Sequence, residues 1–442
     1  MPQHHYPLPA TSPAAPPLAR ALLLLLAAIF LESFCVQSMR SMLGMQFLAP
    51  LNISRTESIT LVNSFLSLSN LLLVPGAWLA DRLWGLRRTL LMGAALVLLA
   101  YLLLAVFAVF PQVLHLLGLS PEVAVSILLV LMGVGSSLLM PGLFVALGKL
   151  STHAARTMGH FLLVRFVGAL TGMVFPMLGG TLFNSYGLGS IAVLLCAAAG
   201  ALLVVLRYWR QETQPTQTPV VGAGQVSFAL QGAFLALFLL LGAALLYLQQ
   251  TTMLLPVLGL VVFVVALGYL NWRNSRSAAP LAKPSYYLPG LIAGAFLLST
   301  LSEVALGAGY GADTPAQVAV VSVASIVAVV GLFFWVRRRD SAVAERQFLL
   351  GSLYVVGLGI CMVAGPVLRQ VGPLFTGNPT TVLGFPPALL LQVGVGSLLF
   401  LLPVSVSQHA PVAYKTRFMA LALLISSAAY NLADLIVGKW LH

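Results

Sequence analysis

The stretch "GAWLADRLWGLRRTLL", residues 76–91, decides the fold, because it sets one aspartate and three arginines at the junction of two long apolar runs. Upstream lies Ile59–Ala80 and downstream Thr89–Phe110, each about the 20 residues that a helix needs to cross hydrocarbon. Gly76 and Gly85 lack a Cβ, so they permit close helix packing and a tight turn. Asp81 stands between them, flanked by Arg82, Arg87 and Arg88. An aspartate there can pair with an arginine across a closed interface and can favour the amino end of a neighbouring helix. The stretch therefore reads as a charged latch that opens and closes. An ordinary basic loop explains the arginines, but neither the Asp-Arg pair nor the glycine spacing.

Outward from this stretch the chain keeps the same character. It is 60% hydrophobic and 7% charged, with mean hydropathy +1.01, whereas soluble domains carry about a quarter charged residues. The apolar runs have helix length, and barrel strands would instead alternate over about 10 residues. The expected fold is an all-α integral membrane protein. Thirteen spans are expected: Leu22–Phe47, Ile59–Ala80, Thr89–Phe110, Val123–Leu147, Phe161–Phe183, Leu188–Leu206, Phe228–Leu248, Leu254–Leu270, Tyr287–Leu306, Val318–Val336, Phe348–Val367, Ala388–Val406 and Phe418–Val437. Residues 1–19 are Pro-rich and polar and read as a disordered tail. A cleaved signal peptide is the rival reading; Glu32 soon after the leucine run and the want of a small-x-small site count against it.

Lys and Arg gather in alternate loops, which places the amino terminus in the cytoplasm by the positive-inside rule. The inside loops hold Arg82, Arg87, Arg88, Lys149, Arg156, Arg207, Arg210 and most later basic residues; the outside holds only Arg55, Arg369 and Lys439. The net charge of +12 follows from that distribution. A nucleic-acid patch would concentrate basic residues on one face, so no nucleic acid is expected as partner. Cys35, Cys196 and Cys361 fall within spans without metal-ligand spacing, and the histidines are scattered, so no metal or other cofactor is expected. No GxxxxGK[ST] loop occurs, which removes ATP as the driving ligand. A membrane enzyme would need a cluster of His, Asp or Glu near one face, and no loop offers one.

Residues 76–91 resemble the signature loop of the major facilitator superfamily of transporters. A narrower resemblance joins the chain to the proton-dependent oligopeptide transporters. "ESFCVQSMR" at 32–40 is similar to their first-helix Glu-x-x-Glu-Arg-Phe-x-Tyr-Tyr-Gly-Met-Arg pattern, matching at Glu32, Phe34, Met39 and Arg40. "GVGSSLLMPGLFVALGKL" resembles their fourth helix, "VGALTG" at 167–172 their fifth, "ERQFLLGSLYVVGLG" their ninth core helix with its preceding loop, and "LLPVSVSQHAP" at 401–411 their tenth. The resemblance implies twelve core helices plus two inserted ones, here Phe228–Leu248 and Leu254–Leu270, with the last core helix missing. It also marks departures. The leading Glu falls on Ile29, the following Arg on Ser33, the tyrosines on Val36 and Gln37, the fourth-helix Lys and Asn on Met140 and Gly142, and the tenth-helix Glu near Leu398. The fifth-helix Tyr and Asn fall on Leu162 and Phe166. Those are the positions to which the family assigns proton coupling and peptide-end binding.

Few charges remain inside the spans: Glu32, Arg40, Arg165, Glu303 and Asp434. Each costs about 2.5–3.5 kcal/mol at mid-bilayer, so such groups face a cavity or a partner. Glu32 and Arg40 lie about 12 Å apart along one helix and about 80° apart around it, too far to pair as neighbours. Both can look into one cavity with Gln37 between them. Two readings stay open for Glu32: a titrating proton carrier opposed by Arg40 or Arg165, or a fixed ion pair that only sets packing. Arg40, Gln37, Arg165 and Glu303 are the candidate substrate contacts.

The sequence therefore predicts a disordered tail at 1–19, a six-helix bundle at 20–210, a linker with two extra helices at 211–285 and an incomplete helical bundle at 286–442. Its expected function is secondary transport of a small solute, of the di- and tripeptide class or related, with protons as the coupled partner, in a multi-pass cytoplasmic membrane protein. A facilitator or exporter without proton coupling and a transporter-like sensor are the alternatives.

Overall fold

The structure, a computed structural model, describes residues 18–44, 61, 64–65, 67–150, 154–209, 228–249, 255–275, 287–305, 402–407, 410 and 415–440. The expected spans Val318–Val336 and Phe348–Val367 lie outside the described residues, and Ala388–Val406 enters them only from residue 402. All described regular structure is helical. The helices are α1 (Leu18–Gly44), α2 (Leu73–Leu79), α3 (Leu86–Val109), α4 (Gln112–Leu116), α5 (Pro121–Lys149), α6 (Ala154–Tyr186), α7 (Leu188–Tyr208), α8 (Phe228–Gln249), α9 (Leu255–Ser275), α10 (Tyr287–Ala305) and α11 (Lys415–Trp440). Hydropathy marks only the stretch that sits in hydrocarbon, so most helices overrun the expected spans. The longest overrun is the start of α6, seven residues before Phe161, where Ala154 to His160 contain no proline. Local signals set other ends. Gly85 and Gly187, at φ 73° and 77°, adopt a conformation open to glycine before α3 and α7 begin. Ser120 caps α5 by accepting from the Val123 N–H, with Pro121 in the first turn.

The amino-terminal helices pack around α3, which lies against both α5 and α7, while α1 lies against α6 and α7. Ala94, Val97, Tyr101 and Leu104 recur at helical spacing on the buried face of α3; Leu99, Leu102 and Val106 are exposed on the other. Such an apolar outer face suits lipid. The contact between α3 and α5 is backbone against backbone. A Cβ on Gly93 would stand 2.7 Å from the Gly135 carbonyl oxygen, and a Cβ on Gly135 would stand 2.9 Å from that of Gly93. On the far side of α1, Phe34 meets Phe175 of α6 edge to face at 5.6 Å.

Helices α8 and α9 embrace different parts of the bundle. Helix α8 packs on α5, with Gly242 admitting Val130, Val134 and Leu72; α9 packs on α11, with Gly259 against Leu71. Their outward residues Leu237, Leu240, Val262 and Val265 are exposed. Helix α11 completes the described bundle by packing on α9 and α10 and also on α2 and α5.

Candidate functional site

The latch region begins with two prolines. Residues 67–71 are helical, the helix is interrupted at Leu72, and α2 follows. Pro75 accounts for the interruption, since it has no N–H to give the Leu71 carbonyl. Pro141 inside α5 likewise withholds the donor that the Ser137 carbonyl would meet four residues on. Gly76 lies against that carbonyl: a Cβ there would sit 2.8 Å from the Ser137 oxygen. A larger residue has no room. Past α2, Ala80–Trp84 form a π turn, a widened turn common at functional sites, which buries Trp84 and leaves Arg82 exposed.

Asp81, in the same turn, reaches the amino end of α11. Its carboxylate accepts from the Thr416 hydroxyl and the Arg417 backbone N–H, and its Oδ2 lies 3.5 Å from the Arg417 Nε. At that distance the pair is a charge contact rather than a tight hydrogen bond. The positive end of the helix dipole adds to it. Burial nevertheless dominates and pushes the Asp81 carboxyl up to about 6, against the opposing pull of Thr416, Arg417 and Lys149. The sequence points to an arginine across a closed interface as the partner of Asp81 without saying which. Among the described residues its ion-pair partner is Arg417, while Arg82, Arg87 and Arg88 are exposed. A π turn points neighbouring residues apart, which a loop read by spacing alone does not reveal.

Two further contacts close the same seam. At the end of α5, a Cβ on Gly148 would lie 2.7 Å from the Ser407 Cβ, so residues 402–407 press directly on that helix. Between α2 and α11, Leu73, Ala77 and Ala420 form a small apolar cluster. Deeper in the membrane, the Asn431 amide donates to the Ser67 hydroxyl at 3.3 Å. The paired numbers show the register: 67 with 431 and 81 with 417 have the same sum, 498, as two antiparallel helices require. Ser67, Asn431, Arg417 and Thr416 carried no signal in the sequence beyond their residue types.

Glu32 occupies a separate polar cluster. It is 1% exposed, and its Oε1 accepts from the Ser136 hydroxyl of α5 at 2.6 Å. Its Oε2 has no hydrogen-bond partner among the described residues. One turn on, the Tyr101 hydroxyl of α3 donates to the Cys35 carbonyl, which ties α1 to α3 beside the carboxyl. Gln37 is half-buried and Arg40 is exposed two turns away, so the described hydrogen-bond partner of Glu32 is a serine. No ion pair joins Glu32 to an arginine among the described residues. The backbones of Arg165 and Glu303 lie in α6 and α10; their side chains lie outside the described residues, as does that of Asp434. Ser136 was legible only as part of the Gly/Ser run "GVGSS" in the fourth apolar span. No group of three or more His, Cys, Asp or Glu residues that could hold a metal occurs among the described residues.

Similar architectures are known. A POT family transporter in complex with 5-aminolevulinic acid superposes with TM-score 0.58 at 19% identity, covering 95% of this chain and 90% of the other. The peptide transporter POT in complex with sulfate gives 0.60 at 18%, covering 95% and 89%. The human organic anion transporter MFSD10 (TETRAN) gives 0.62 at 14%, covering 96% and 93%. At such identities the likeness is one of fold. No curated protein matches the chain by sequence. The sequence model of the Major Facilitator Superfamily, however, matches residues 25–433, and with a helical, multi-pass architecture and transporter neighbours in hand, the chain belongs to that superfamily.

Proposed function

We propose that this secondary transporter moves a small zwitterionic or anionic solute, di- and tripeptides included, by proton-coupled alternating access, with Glu32 as the proton carrier. The observation that carries the reading is the state of Glu32 itself. A carboxyl buried among apolar helices, with one oxygen on Ser136 and the other without a partner among the described residues, is costly as a packing element. Functional use explains why the cost is borne. The seam held by Asp81 and Arg417 would face the cytoplasm, following the distribution of basic residues. Arg40, Gln37, Arg165 and Glu303 are the proposed solute contacts, reached when the halves part on the solute side. The fold neighbours support the solute class: their structures are described with 5-aminolevulinic acid and alafosfalin, and one is an organic anion transporter.

A second reading, facilitated passage without proton coupling, is favoured by the replacement of the family's coupling positions by Ile29, Met140 and Gly142. Uptake of a mixed di- and tripeptide library into proteoliposomes, with and without an inward proton gradient, separates the two. Gradient-driven accumulation that Glu32→Gln abolishes is the expected result. Accumulation unaffected by Glu32→Gln would remove the carboxyl from the mechanism, and equal entry without a gradient would establish the facilitator.

A further inference from the structure

We propose that the Ser67–Asn431 hydrogen bond is the pivot about which the carboxyl-terminal helices rock against the amino-terminal ones; the proposal rests on the chain working by alternating access. Asn431 lies fourteen residues beyond Arg417 along α11, and Ser67 lies fourteen residues before Asp81. At 1.5 Å per residue the polar contact is about 21 Å from the ion pair, well inside a hydrocarbon layer of about 30 Å. A rigid-body rotation of about 15° centred there parts Asp81 from Arg417 by about 5 Å and breaks their contact. It displaces the pivot pair by a fraction of an ångström, within the tolerance of a hydrogen bond.

The residues between the two polar contacts suit that division of labour. Leu73, Ala77 and Ala420 are apolar and small or flexible, and they can part without leaving a polar group stranded. Asn431 and Ser67 cannot. Each is more than nine-tenths buried, and separating them within the membrane would leave both an amide and a hydroxyl unpaired. A single buried amide–hydroxyl pair also fixes the register of two helices that apolar contacts alone allow to slide. The bond therefore belongs at the one place where the seam does not open.

Cross-linking tests this directly. In a protein with Cys35, Cys196 and Cys361 replaced by serine, one sample carries Ser67→Cys with Asn431→Cys and another Ala77→Cys with Ala420→Cys, each joined by a short bis-methanethiosulfonate. Opening is read by amide hydrogen exchange across residues 76–91, which does not depend on knowing the solute. The 67–431 link is expected to change that exchange by less than twofold, and the 77–420 link to slow it tenfold or more. Slowing by the 67–431 link as great as by the 77–420 link would make the contact a gate and overturn the proposal. Exchange that neither link alters would show that the seam does not open, which removes alternating access and the pivot with it.

Discussion

Acid should hold the Asp81 seam shut. With the seam closed, burial raises the Asp81 carboxyl to about 6; exposed to water on an open loop it returns toward 3.8. The closed form therefore binds a proton more tightly. Closure gains as pH falls through about 6, and the gain is complete only below about 3.8. Between pH 7.5 and pH 5 the linkage amounts to about a tenfold shift toward the closed seam, or about 1.4 kcal/mol. Lys149 and Arg417 face Asp81 and Lys415 lies beside Lys149, so the site is rich in positive charge from α5 and α11 as well as from its own loop. Asp81→Asn replaces the protonated acid with a neutral isostere and should remove the pH dependence. A single cysteine at Ala77, 1% exposed in the closed seam, reports opening by its reaction with a bulky maleimide in detergent. Rates are taken relative to a cysteine at exposed Arg88, so that the ionisation of the thiol cancels. A tenfold fall in relative rate at pH 5, absent in Asp81→Asn, is expected. A relative rate that rises in acid, or a pH dependence that survives Asp81→Asn, would refute the linkage.

The packing gives further tests. Gly135→Val drives side-chain atoms into the Gly93 carbonyl and Val97, so it should lower the melting temperature in detergent by an amount matching about 1–3 kcal/mol; unchanged melting would mean that α3 and α5 are not in backbone contact. Gly76→Ala meets a fixed backbone oxygen at 2.8 Å, and its penalty should shrink when Pro141→Ala gives the Ser137 carbonyl back its helical donor and draws it away; equal penalties in both backgrounds would contradict that account. Ser136→Ala should cost about 1–3 kcal/mol by stranding Glu32, and much less in a Glu32→Leu background, which has no acceptor to strand; additive effects in this double-mutant cycle would show that the two residues do not interact.

The fold was legible because membrane helices announce themselves by length and apolarity, and the loop at residues 76–91 announced the superfamily. Boundaries were less so: the start of α6 and the short helix α4 lie where hydropathy is silent and only the run of helix-compatible residues or a local turn decides. For the site, Glu32, Asp81, Gly76 and Gly85 stood out because a charge or a glycine is rare in its setting. Their partners did not. Ser136, Thr416 and Arg417 lie 104, 335 and 336 residues away in the chain from the carboxylates they meet, and small polar residues are common in membrane helices. Pairing at that range depends on which helix faces which, and one sequence alone carries no record of it.

The paired extra helices set a limit of another kind. One rides on α5 and the other on α11, yet only residues 250–254 separate the end of α8 from the start of α9. Six peptide links reach about 20 Å when fully drawn out. On the proposed alternating-access cycle the chain would be a tether of fixed length between two bodies that move apart, and it would cap how wide that end of the molecule can gape. The largest solute admitted would then be governed by contour length as much as by the walls of the cavity, and lengthening the tether would relax the ceiling while leaving every helix contact as it is.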